Sequence, residues 1–406
     1  TGTGNEYSSG NNTFHGNTRY TLSGNGIALL ANTGADSYLG DLQLECTGTG
    51  GFRFGNSGGT STMVPGRTVS IGPGGYDQAP LMMAGFRRIG PDPTNLTLGP
   101  NANFQSQTGS VWEGPLTVPP DDWSTGNNIF HEHLQLLNTS DAHFGLAYSG
   151  VDSLLADVEV SNTGTGSVRF GQHTGSAILA DGNRLTIGPG GFNSGSLHLR
   201  RFRQLGSTPQ QLQLGDAALL YMQVDSRFEA DLHAEAGRIF LGNSLFMGYT
   251  RLIKNGLHSD GSDGGNTFEG ELDIDVRSSG GIFLAENGID RYNGNVRVSA
   301  PVGGQVRIGN SGGQGILADG KTIAVGAGGF VGGIFLLRGF EQVGATPQQL
   351  LFSATTAAYI RFGSIFHGAL ELQAGDLYLE DDTFHAPVLL RKIGAQNNSS
   401  NGGNTF

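Results

Sequence analysis

A chain of 406 residues with 69 glycines, only 14% charged residues and a net charge of −12 departs from ordinary globular domains, which carry about 25% charged residues and about 7% Gly. The acidic balance, with a pI near 5.2, excludes a nucleic-acid partner held by phosphate neutralisation, and no apolar run reaches the roughly 18 residues of a membrane-inserted span. The lone cysteine, Cys46, excludes an internal disulfide framework and a cysteine-based metal cage.

What remains is rich in strand formers and turn formers, and the expectation is an all-β protein. Thr1 opens no signal-like stretch, so the chain is expected to be processed or excised. Taken in order, NNTF ends at Phe14 and is followed from Asp41 by DLQLECTGTGGFRFGNSGG. NNIF ends at Phe130 and leads to DVEVSNTGTGSVRFGQHTG from Asp157. GNTF ends at Phe268 and leads to NVRVSAPVGGQVRIGNSGG from Asn295, and GGNTF ends at Phe406. These starts lie 116, 138 and 138 residues apart. The predicted organisation is repeat 1 at 1–126, repeat 2 at 127–264, repeat 3 at 265–403 and the start of a further repeat at 404–406, in one continuous rod.

A finer period runs inside each repeat. Large apolar anchors recur at Phe268, Tyr292, Ile316, Phe340, Phe366, Phe384 and Phe406, and in repeat 2 at Phe130, Leu154, Ile178, Phe202, Phe228 and Phe246. Repeat 1 keeps Phe14, Tyr38, Phe86 and Trp112 in phase, with Thr62 where an apolar anchor is expected, and is 22 residues short, which is one anchor step. Around many anchors the chain reads aromatic-x-Gly-x-apolar-x-apolar, as in FEGELDI and YNGNVRV. That alternation is a strand with one buried face, and Gly-rich turns separate the strands.

Units of this kind predict a parallel β-solenoid of about 17 coils in three tandem repeats, right-handed by the usual preference of parallel crossovers. Each anchor would stack on the next at about 4.8 Å as an interior ladder, giving a rod of about 80 Å. Three tandem β-sandwiches are the rival, disfavoured because a sandwich does not lose 22 in-phase residues cleanly.

The chemical signals are weighed against this frame. GILADGKT, residues 315–322, spells a phosphate-binding loop, but that chemistry needs a strand before it and a helix after it. The other repeats share only the turn glycines Gly66, Gly182 and Gly320, each followed by a strand pattern, so no cofactor is expected. Asp260 and Asp263 among glycines are the calcium candidates, set against a solvated turn; no other metal ligand is expected. Phe-His recurs at His15, His131, His367 and His385, in an outward slot where His367 and His385 would sit one above the other. Glu380, Asp381 and Asp382 together with Arg200, Arg201 and Arg203 raise polysaccharide cleavage, which needs an acid and a base on one groove. Surface charge is the preferred reading, and no catalytic residue is assigned.

GGNTFEGELDI, GGIFLAENGIDRYNGNVRVSAPVGGQVRIGNSGG and ILADGKTIAVGAGGF resemble the repeats of giant secreted surface proteins, adhesins of Bacteroidota-type bacteria. More distantly they are similar to the β-helical stalks of autotransporter and filamentous-haemagglutinin adhesins. The resemblance implies extracellular or cell-surface display, a fibrous shape and a role in adhesion, biofilm or surface movement. The expected function is an extracellular structural fibre or adhesin stalk, joined head to tail or continued in a longer array. A phage tail-fibre or glycan-binding shaft, with surface glycans as partners, is the alternative, and a polysaccharide-cleaving enzyme the third reading.

Overall fold

The computed structural model describes residues 4–99, 101–118, 123–310, 312–395 and 400–406, and every regular element among them is a β-strand. The chain divides into two compact units, Thr1–Thr208 and Pro209–Phe406, a boundary that falls inside repeat 2. Each unit is a parallel β-solenoid, with about 15 turns in the two together.

A turn carries three strands, one on each face of the coil. In the first unit Ile27–Leu30, Ala35–Tyr38 and Leu42–Cys46 are followed by Gly51–Phe54, Thr60–Met63 and Val69–Tyr76. They pair in parallel register, Ile27 to Gly51, Tyr38 to Met63 and Leu42 to Val69. The second unit repeats this with Gly281–Leu284, Ile289–Tyr292 and Val296–Ala300 against Gln305–Ile308, Gln314–Leu317 and Ile323–Phe330. Along the strands buried and half-buried residues alternate, so one set of side chains fills the coil and the other faces out. A single turn cannot enclose its own apolar face, and each depends on its neighbours for burial.

Two glycine requirements explain the repeated spellings. Gly66, Gly182 and Gly320 adopt φ of 74°, 85° and 74°, in open space where a Cβ would meet nothing within 4 Å. The demand there is for left-handed backbone, which other residues adopt at a cost. The glycine of aromatic-x-Gly answers to crowding instead. A Cβ on Gly270 would lie 2.3 Å from Gly248 O, and one on Gly294 would lie 2.0 Å from Gly270 O. Backbones of successive coils touch there, which leaves no room for a side chain.

The interior ladder is real, but its steps differ from those predicted. In the first unit the register row runs Phe14, Tyr38, Met63, Arg88, Trp112, Phe130, Leu154, Leu179 and Gln204. In the second, Phe228, Phe246, Phe268, Tyr292, Leu317, Gln342, Phe366 and Phe384 share a row. Phe86, Phe202 and Phe340 are therefore not rungs of it. They sit two residues earlier, as Phe86 does opposite Ser61. All three are fully buried, because a displacement of two returns a strand residue to the same face. Likewise Met63, Leu179 and Leu317 hold the rungs assigned to Thr62, Ile178 and Ile316, here by a one-residue displacement that exchanges an outward for an inward side chain. Where aromatics do succeed one another they stack: Phe246 on Phe268 at 4.9 Å and 7°, Phe14 on Tyr38 at 4.9 Å and 6°, and Phe384 on Phe406 at 5.3 Å and 13°.

Candidate functional site

Beside the apolar ladder, two residues before many of its rungs, runs a buried polar column, interrupted where Phe86, Phe202 and Phe340 hold that position. In the first unit it includes Asp36, Ser61, Ser110, Asn128 and Asp152, and in the second Ser244, Asn266, Asp290, Ser364 and Asp382, all buried. Except at Ser61, whose buried hydroxyl meets no partner, these side chains answer the backbone of the preceding coil. Asn12 N–H donates to Asp36 Oδ1 at 2.9 Å, Ser110 N–H to Asn128 Oδ1 at 3.1 Å and Asn128 N–H to Asp152 Oδ1 at 3.0 Å. Asn266 N–H donates to Asp290 Oδ1 at 2.8 Å, and Asp382 N–H to Asn404 Oδ1 at 3.1 Å. The Asn of the recurring N-[TI]-F spelling is this acceptor, a role the sequence signalled by repetition but periodicity in apolar residues passed over. Burial drives the Asp152 carboxyl above its ordinary range, against opposing hydrogen bonds from Ser124, Asn128 and Ala147. It pushes Asp290 and Asp382 up to about 6.

The rungs at Arg88, Gln204 and Gln342 do a second job. All three are buried, and their heads bond the turn that follows. Arg88 donates to Gly90 O at 3.2 Å and Asp92 O at 3.0 Å, Gln204 to Leu205 O at 2.6 Å, and Gln342 to Gly344 O and Thr346 O at 2.7 and 2.6 Å. A long polar side chain thereby satisfies corner carbonyls that would otherwise be stranded beside the core.

Of the calcium candidates, Asp263 is exposed whereas Asp260 is fully buried. Asp260 is not in a solvated turn: Oδ1 accepts from Arg238 Nε at 2.7 Å, Oδ2 accepts from Ile239 N–H at 3.1 Å, and Lys254 Nζ lies 3.4 Å from Oδ2. Lys254 is itself fully buried and donates to Gly237 O and Gly256 O. Both carboxylate oxygens are thus already engaged by the protein's own cations and amide. No group of three or more metal-type ligands occurs among the described residues.

The phosphate-loop spelling lies at a turn. Gly320 N–H is held by Asp319 Oδ1 at 2.8 Å, as Gly182 N–H is by Asp181, and the strand Ile323–Phe330 follows where a helix would be needed. His367 and His385 stack outside the coil at 4.7 Å and 11°. Glu380 pairs with Arg361 at 3.3 Å, and Asp382 belongs to the buried column. Arg201 and Asp381 occupy left-handed corners with φ of 48° and 56°.

One outward row of the second unit is aromatic. Phe283, Arg307, Leu336, Tyr359 and Tyr378 share register, with Tyr359 stacked on Tyr378 at 4.3 Å and 4°. Arg307 covers Phe283 at 4.0 Å and Arg361 covers Tyr359 at 4.9 Å, contacts that pair a weakly hydrated cation with a ring face. No protein-family model, curated protein or solved structure matches the chain.

Proposed function

We propose that the chain is an extracellular or cell-surface structural fibre, serving as an adhesin stalk or filament subunit. It is read as about 17 right-handed coils, arranged as repeats 1–126, 127–264 and 265–403 with 404–406 opening another. Partners are further copies joined head to tail, or more repeats of the same array. The carrying observation is that the inward face of coil after coil is spent on two ladders, stacked apolar rungs and backbone-capping polar side chains. Asn404 and Phe406 add a further step to both ladders.

Electron microscopy at rising protein concentration tests this reading. Filaments, or single rods of about 80 Å at the usual strand spacing, are expected, and compact globular particles would sink it. A glycan-binding shaft is the second reading, favoured by the half-exposed Tyr359–Tyr378 pair, whose outer ring face suits a sugar ring. Saturable binding to a neutral glycan that disappears in Tyr378→Ala would promote it.

A further inference from the structure

The corner between the first and second strands of a turn in repeat 2 holds a cleft of about 570 Å³ lined by Tyr148, Arg169, Gln172, His173, His198 and Arg200. No carboxylate is among these lining residues. Two buried donors, Gln172 Nε2 and Arg200 Nε, meet no acceptor in the protein, and a buried donor left unanswered is costly. Positive charge is crowded here. Burial and Arg200 lower the Arg169 guanidinium, and burial with Arg169, Arg200 and His143 pushes the His198 imidazole down to about 3.

Repeat 3 shows what this corner accommodates. Residues 138 positions later are Arg307 for Arg169, Asn310 for Gln172, Arg338 for Arg200 and Glu286 for Tyr148. Glu286 accepts from Arg307 Nε at 2.9 Å and from Asn310 Nδ2 at 2.7 Å, and Arg338 Nη1 donates to Asn310 Oδ1 at 3.2 Å. The same donors therefore surround a carboxylate supplied by the chain. In repeat 1, where Asn32 takes the Glu286 position and Ala84 the Arg338 position, donor and acceptor shrink together and Asn56 simply bonds Asn32 at 3.0 Å. Only repeat 2 keeps the two arginines while exchanging the acid for a neutral tyrosine.

We propose that the repeat 2 cleft binds a carboxylate from outside the chain, carried on a ligand of one or two sugar residues, a uronic acid unit. Arg169 Nε already donates to Ser167 Oγ at 2.8 Å, so Arg169 takes the carboxylate through its terminal guanidinium nitrogens, beside Gln172 in the place Asn310 holds at Glu286, with charge-assisted bonds of the strong kind. The volume lies within the roughly 300–1,000 Å³ of small-ligand sites, far more than a bare carboxylate fills. Tyr148 and His173, edge to face at 4.8 Å, form a wall for the sugar ring. This inference does not rest on the stalk reading.

Calorimetric titration of the full chain with a glucuronic-acid disaccharide tests it, beside the neutral glucose disaccharide, a sulfated disaccharide and acetate. Saturable binding of the uronate is expected, with the neutral sugar and acetate each at least about tenfold weaker. Arg169→Ala combined with Arg200→Ala should weaken it by tenfold or more, since the charge-assisted donors are lost. Tyr148→Glu should abolish binding by supplying a tethered carboxylate, while thermal stability holds or rises, so that loss there is not unfolding. Arg67→Ala, at an exposed turn of the same unit, should bind as the unaltered chain does. Absence of uronate binding, undiminished binding in the double or Tyr148→Glu variant, or preference for the neutral or sulfated sugar would overturn the proposal. So would acetate binding as tightly as the disaccharide.

Discussion

The two units solve the same packing problem with different treatments of charge. Among the described residues, the first has three ion pairs, Arg19–Glu45, Arg87–Glu113 and Arg88–Asp92, whereas the second has eleven. The second also encloses the cluster of Arg238, Lys254 and Asp260 beside its core. Because parallel register places like positions of successive coils side by side, a charge in one coil meets whatever the adjacent coil offers there. In repeat 3 Arg307 meets Glu286; in repeat 2 Arg169 meets no acid at the matching place. The coil is thus indifferent to outward charge within wide limits, and the outward rows are where one repeat can differ from another.

The contrast breaks most severely at the buried cluster. Asp260→Ala leaves Lys254 and Arg238 without their carboxylate, and removal of one partner of a buried pair costs about 3–5 kcal/mol. Hydrogen exchange should show lost protection concentrated in the second unit, and an unchanged urea midpoint there would refute the enclosed pair's role.

Asp290 sharpens the comparison through pH. Its folded carboxyl sits at about 6 against 3.8 ordinarily, so the folded state keeps a proton that the unfolded chain releases between those values. Its contribution is full below about pH 4 and is lost as pH rises through 6, a change of about 3 kcal/mol. Asp290→Asn, which reproduces the Asn found one step earlier at 266, should flatten that slope in urea titrations at pH 4.5 and 7.

Gly320→Ala and Gly182→Ala test whether equivalent corners are equally strained. Each forces a Cβ into left-handed backbone at about 1–2 kcal/mol, and equal shifts in thermal midpoint are expected from the two units. Smallest is Glu286→Gln, which weakens a surface pair by about 0.2–1 kcal/mol. It should make the repeat 3 corner resemble repeat 2, with a destabilisation that fades in high salt.

Periodicity made the all-β solenoid legible because the same alternation returned in three copies. It misplaced Phe86, Phe202 and Phe340 for the same reason: a two-residue slip conserves facing, so burial alone cannot report register. Arg88, Gln204 and Gln342 were not assigned as rungs, since an apolar period passes over a charged or amide residue, yet their heads bond corner carbonyls from within. Asp260 was read from local glycines, whereas Arg238 reaches it from the preceding coil, 22 residues away, a pairing that no local window contains. The repeat 2 cleft was hidden differently. Arg200 was read only as surface charge, and the 138-residue spacing that sets Tyr148 against Glu286 gains meaning only once Glu286 is seen accepting from Arg307 and Asn310.

The polar column also has a direction. At each hydrogen-bonded step described, the backbone donor belongs to the earlier coil and the side-chain acceptor to the later one. Each such coil turns one column amide toward the following coil, which supplies the matching oxygen. The column therefore makes the two faces of a coil unlike: toward the carboxyl end a backbone amide meets a side-chain oxygen, and toward the amino end a side-chain oxygen meets an amide, as Asn128 does with Asp152 on one side and Ser110 on the other.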